Sequence, residues 1–287
     1  MAVSGRTHKP RPSHFTAMAP ALVAAAALLT FHSPLSGQSA PPPTVGADKP
    51  AMMPLGPTNS SLLQDLSNQG DSQVKAKQYD AAIDTYRTLI LKLTDPRAKA
   101  EIWTRIGDVY RLKGDVLISI KALEQALSLV PGNSSILTNI GLLYETQGDR
   151  VHARQYYQRA LASDLNNPLA LNNLAFLLAE TGGDLDQALG LATAAKKLAP
   201  KAPEVIDTIA WIHMKKNMLS DAANEFKMIT EQVPASPVFH LHYAITLNKQ
   251  GNKTDANREC QAALNQKPDK VLEEQIRQEC SETIPAK

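Results

Sequence analysis

Short amphipathic segments and sharp breaks alternate along the chain. From Leu171 to Trp211 it reads LNNLAFLLAETGGDLDQALGLATAAKKLAPKAPEVIDTIAW. The first part is an apolar helix pattern. Gly182-Gly183-Asp184 breaks it and a second helix pattern follows. Pro200 closes that one, and the same order of events begins again. Read outward in both directions, the unit recurs along almost the whole chain.

Two registers define the period. Gly107, Gly141, Ala175, Ala210 and Ala244 are separated by steps of 34, 34, 35 and 34 residues, and Pro200, Pro234 and Pro268 by steps of 34. A period of this length marks a stack of helix–turn–helix units. Small residues in the first register let the first helix of a unit (A) approach the second (B) closely. Gly114-Asp115 and Gly148-Asp149 break the chain between helices, and the one-residue insertion falls in Gly182-Gly183-Asp184.

Residues 100–133 carry Trp103, Ile106-Gly107, Tyr110, Gly114, Ala126-Leu127 and Pro131. Residues 134–167 carry Leu137, Ile140-Gly141, Tyr144, Gly148, Ala153, Tyr157 and Ala160-Leu161. This pattern resembles the tetratricopeptide repeat family. The resemblance covers residues 60–268 as repeats 63–96, 100–133, 134–167, 168–202, 203–236 and 237–268. It implies an all-α fold, a right-handed α-solenoid of about six helix–turn–helix repeats. The first repeat is diverged: Gly70, Tyr79, Ala82 and Tyr86 keep register, but Gly70 and Gly107 are 37 residues apart, which points to a longer link around Thr94-Asp95-Pro96. Residues 269–287 are expected to form a capping helix and tail. Leu272, Ile276 and Cys280 make one apolar stripe, and Glu273, Glu274, Arg277 and Glu279 face water.

The N-terminal stretch breaks the pattern. Residues 1–39 hold Arg6, Lys9 and Arg11 and no acid, then the apolar run Ala21–Phe31, then Gly37-Gln38-Ser39. That is the layout of a secretory signal peptide. The run is short for a membrane span, which needs about 20 residues. The expectation is a protein exported to the periplasm or secreted. The alternatives are an uncleaved N-terminal anchor, the one route to membrane contact, or Met18 as the true start. Residues 40–59 are Pro-rich without a period and read as a disordered tether.

The chain has 30 basic and 28 acidic side chains, so the remainder after the first 39 residues is near neutral. A nucleic-acid partner is not expected, since phosphate binding needs a concentrated basic surface. No Gly-rich phosphate loop, HExxH or ordered Ser–His–Asp set appears. His240-Leu241-His242 places two imidazoles on different helix faces with no third ligand nearby in sequence. No catalytic residue, metal, cofactor or small-molecule substrate is therefore expected. Cys260 and Cys280 are either a disulfide that pins the cap or two separate buried thiols.

In the family that the chain resembles, A helices line a concave groove. The ninth A-helix positions here run Asp71, Asp108, Leu142, Phe176, Trp211 and Ile245. The last four would form an apolar stripe with Asn172 and Asp207 on its margin, a surface for an extended or helical peptide. Packing of these side chains between neighbouring A helices is the alternative. The fifth positions (Ser67, Thr104, Thr138, Asn172, Asp207, Leu241) include no Lys or Arg. A clamp for a C-terminal carboxylate, known in some members, is therefore not expected. The resemblance implies a non-catalytic scaffold or adaptor for a protein or peptide partner, within a bacterial cell-envelope assembly or export system. The alternatives are a self-associating structural subunit, or a cytoplasmic regulator with an uncleaved N-terminus.

Overall fold

The computed structural model describes residues 59–281. The expected signal segment 1–39, the tether up to residue 58 and the tail after residue 281 lie outside the described residues. Within them, every element is an α-helix and no strand occurs. Six A/B pairs follow one another: α1 (Asn59–Lys75) with α2 (Tyr79–Lys92), α3 (Pro96–Lys113) with α4 (Val116–Leu129), and α5 (Ser134–Thr146) with α6 (Arg150–Ser163). Then come α7 (Pro168–Glu180) with α8 (Leu185–Leu198), α9 (Pro203–Lys215) with α10 (Leu219–Gln232), and α11 (Pro237–Lys249) with α12 (Lys253–Asn265). A last helix, α13 (Lys270–Glu279), closes the stack.

Local chemistry sets the helix ends. Pro96, Pro168, Pro203 and Pro237 open A helices, where proline's fixed φ fits and its missing N–H is not needed. Side chains of Asp95, Asn133, Asn167 and Ser236 accept hydrogen bonds from first-turn N–H groups of α3, α5, α7 and α11. The link around Thr94-Asp95-Pro96 is thus a helix start, with Asp95 as its cap. The inserted residue lies in the α7–α8 turn, which spans 181–184, where the α5–α6 turn spans only 147–149.

Each A–B turn needs one residue in the left-handed region. Gly114, Gly148, Gly182 and Gly251 supply it, with φ from 70° to 85°. Lys77 and Asn217 occupy the equivalent place at 58° and 62°. A side chain there costs about 1–2 kcal/mol, partly offset by glycine's larger entropy loss on folding. Lys77→Gly is therefore expected to leave the fold unchanged and raise unfolding free energy by up to about 1 kcal/mol, read from the urea midpoint.

The A-helix small residues work as spacers. A Cβ on Gly141 would stand 2.7 Å from the Tyr157 ring, and one on Gly70 would stand 2.3 Å from that of Tyr86. Each glycine lets a tyrosine from its B helix pass and reach a carboxylate on the A helix: Tyr157 donates to Glu145 at 2.7 Å and Tyr86 to Asp71 at 2.6 Å. Where Ala replaces Gly, alanines Ala188, Ala192 and Ala195 of α8 and Phe226 of α10 fill the core. The core runs on through Leu241, Ala244, Cys260 and Ala263 to Leu272 and Ile276 of α13. Cys260 and Cys280 are joined by a disulfide, with Cα atoms 6.2 Å apart, which ties α12 to the end of α13.

Candidate functional site

The A helices of the middle repeats enclose a cavity of about 570 Å³. Its floor is formed by Thr138 and Leu142 of α5 and Asn172 and Phe176 of α7. Thr104, Asp108 and Arg111 of α3 close one end, and Glu204, Val205 and Thr208 of α9 the other. Phe176 is half-buried, so part of its ring remains open to an occupant. The size is that of a site for a small ligand or a few residues of peptide.

The polar side chains on the wall are held to different degrees. Asn167 caps α7 through its Oδ1 and donates from Nδ2 to Ser134 Oγ at 2.8 Å and Thr138 Oγ1 at 3.1 Å. Its amide is fully employed in joining one repeat to the next. Asn172 is 8% exposed and its Oδ1 accepts no hydrogen bond. Glu145 accepts from the Tyr157 hydroxyl, and no Lys, Arg or His nitrogen lies within 4.0 Å of it among the described residues.

Burial raises the Glu145 carboxyl to about 7, with Glu180 of α7 adding to the shift, while the Tyr157 hydrogen bond and Arg150 of α6 oppose it. The folded pKa lies above the unfolded one. The stability that protonation contributes is therefore complete below about pH 4.5 and lost as pH rises through about 7. Glu145→Gln is expected to exceed wild type by about 1–3 kcal/mol at pH 8 and to match it near pH 4.5. Urea titrations at the two pH values measure the difference.

The structure corrects half of the groove set expected from sequence. Leu142, Asn172 and Phe176 line the cavity together. Trp211, Asp207 and Ile245 do not. Trp211 is 2% exposed, its Nε1 donates to Glu180 at 2.8 Å, and its ring packs on His242 at 4.3 Å between centroids. Lys215 Nζ lies over the same ring at 5.1 Å. Asp207 is completely buried and accepts from His242 Nδ1 at 2.9 Å. Ile245 is half-buried against the cores of the last repeats. The physical reason is that α11 lays His242 across α9, so the apolar stripe closes into core after Phe176. At the other end of the row, Asp71 is taken up by Tyr86 and by Arg105 Nη1 at 2.9 Å.

The neighbouring imidazole follows a separate path. His240 Nδ1 meets Glu259 at 2.7 Å and its Nε2 meets the Pro234 carbonyl, so His240 and His242 serve different contacts. The side-chain bond to Glu259 is the main reason that the His240 imidazole is held above its usual range. Among the described residues no group of three His, Cys, Asp or Glu is arranged for a metal.

Sequence reading missed the Asp207–His242 pair, although a signal was present. The partners are 35 residues apart and of complementary charge, as are Asp71 and Arg105, 34 apart. Fifth or ninth positions of one A helix thus meet the sixth position of the next.

With this architecture in view, the class is defined by comparison. Tetratricopeptide repeat models match residues 66–92, 99–166 and 138–203. The chain is a tetratricopeptide repeat protein. Proteins of this kind act as protein-interaction scaffolds, and the fold is typically non-catalytic. Among solved structures the chain is similar to a tetratricopeptide repeat protein from Parabacteroides merdae, at 16% identity and a TM-score of 0.62, over 77% of this chain and 88% of that one. It is similar to PilW, described as a widely conserved type IV pilus biogenesis factor, at 19% identity and a TM-score of 0.60, over 75% and 98% of the two chains. Likeness to pilF of Pseudomonas aeruginosa is at 20% identity and a TM-score of 0.52, over 65% and 88%. Such identities define a shared fold. No curated protein sequence matches the chain.

Proposed function

We propose that this protein is a non-catalytic adaptor that docks an extended segment of a partner protein in the cavity of its middle repeats. The observation that supports this reading is the cavity itself. It presents Leu142, Phe176 and Val205 as an apolar wall, and it leaves the Asn172 carbonyl without an internal partner. An extended peptide fits both features, because it offers apolar side chains and main-chain N–H groups together. In this reading no bond is made or broken, and binding comes from burial and main-chain hydrogen bonds.

The setting we propose is outside the cytoplasm, in a bacterial envelope assembly or export system. The basic n-region, apolar run and small residues of 1–39 support export. The Cys260–Cys280 bond agrees with it, since disulfides persist in oxidising compartments.

The test uses two affinity columns loaded with envelope extract from the source organism. One carries the wild-type chain and the other carries Leu142→Ser with Phe176→Ser. A partner held by the first and lost from the second, with helicity equal by circular dichroism, supports docking in the cavity. Equal retention would move the binding surface elsewhere, and retention of only the protein's own chain would favour the self-associating subunit.

A further inference from the structure

The cavity has a charge preference written into its wall. Of the charged side chains that line it, Asp108, Glu145 and Glu204 are acidic and Arg111 alone is basic. Arg111 already stands 3.7 Å from Asp108 on its own helix. Glu145 differs from the ion-paired carboxylates of neighbouring A helices. Glu180 has Lys215 at 3.0 Å and Asp71 has Arg105, while the buried Asp207 accepts from the His242 imidazole. Among the described residues Glu145 has only the Tyr157 hydroxyl, which bonds Oε2, and its Oε1 accepts no hydrogen bond.

A second observation stands beside the acids. Asn172, one turn before Phe176 on α7, lines the same cavity and is 8% exposed. Its Oδ1 lacks a donor. A buried acceptor left without a partner is unfavourable, and a turn of the amide that brings Oδ1 to the cavity side lets a donor from an occupant relieve it. A main-chain N–H is the donor that almost every residue of a peptide offers.

We infer that the occupant is an extended peptide segment bearing a lysine or arginine, whose cationic head meets Glu145 while its main chain is held by Asn172 and its neighbouring side chains rest on Leu142 and Phe176. This inference rests on the docking function proposed above and adds the chemistry of the partner. Above about pH 7, where Glu145 is ionised, a neutral segment would seal a carboxylate away from water with no counter-charge, which is costly. An acidic segment would face three like charges. A basic side chain supplies the cation that Glu145, buried beside Tyr157, does not receive from the described residues.

The test is a positional-scanning peptide library screened against the full chain at pH 8, with affinities of selected peptides measured by fluorescence anisotropy. Selection of Lys or Arg at one position is expected. Replacing that residue by norleucine should weaken binding about tenfold, the equivalent of 1.4 kcal/mol. Glu145→Gln should erase the difference between the two peptides and keep affinity for the norleucine form. Asn172→Ala should weaken both peptides by a similar factor. Circular dichroism of each variant establishes that the helices persist. Equal binding of Lys, norleucine and Glu peptides, unchanged by Glu145→Gln, would overturn the inference. If that binding still required Leu142 and Phe176, the docking function would stand without it. Failure of every peptide to bind would overturn both.

Discussion

Trp211→Ala is expected to lower the unfolding free energy by about 3–5 kcal/mol, the usual cost of deleting a large buried aromatic. The side chain is almost wholly enclosed. It touches the preceding A helix, α7, through Glu180 and the following A helix, α11, through His242. Deletion leaves a cavity at the junction of three A helices and removes the donor to Glu180. The loss should appear as a lower urea midpoint. Because repeats are stabilised by their neighbours, amide exchange should quicken first in α9–α12, with α1–α4 retaining protection. Any loss of partner binding in this variant would then arise from folding and not from a lost contact. Phe176→Ala, at a half-buried position, should cost less and act on binding.

The second large effect is expected from His242→Ala. Its imidazole is the side-chain partner of Asp207 among the described residues, and both are buried. Removing one member of a buried pair typically costs about 3–5 kcal/mol, because the other is left uncompensated. Burial already raises the Asp207 carboxyl in the wild type, and His242 is what opposes that rise. Without the imidazole the folded-state pKa climbs further above the unfolded one. The stability that protonation contributes is then present at low pH and lost as pH rises. The variant's deficit should therefore be smallest in acid and grow toward neutral pH, as urea titrations across pH 4–8 would show. Asp207→Asn with His242→Ala should recover part of the loss, since no charge is then stranded. The rings of Trp211 and His242 are in contact, so their single-variant costs should not add.

These two residues also show where sequence reading stops. The period of Gly107, Gly141, Ala175, Ala210 and Ala244 is legible because close helix packing leaves no room for larger side chains in that register. Turn chemistry places the A–B breaks at Gly114, Gly148 and Gly182, but not those at Lys77 and Asn217, which take the same left-handed backbone without glycine. The groove is legible only in part. Leu142, Phe176 and Trp211 share one register position, yet two border a cavity and one is core. The difference lies in what the next A helix places over each. Thr208 and His242 hold equivalent positions on α9 and α11. Thr208 is short and lines the cavity beside Phe176, whereas the imidazole of His242 covers Trp211 and binds Asp207. A position-by-position reading of single helices cannot see that, but pairing charges one repeat apart would have found Asp207 with His242.

The central claim is that a partner lies in the cavity between the A helices of the middle repeats. Site-specific photo-crosslinking in the native host tests it most directly. A photoreactive residue is placed at Leu142, at Phe176, or at exposed Gln158 on α6, in the full chain. The account predicts that Leu142 and Phe176 give the same partner adduct and that Gln158 gives none. Adducts from Gln158 alone would contradict it and place the interaction on the outer face of the solenoid.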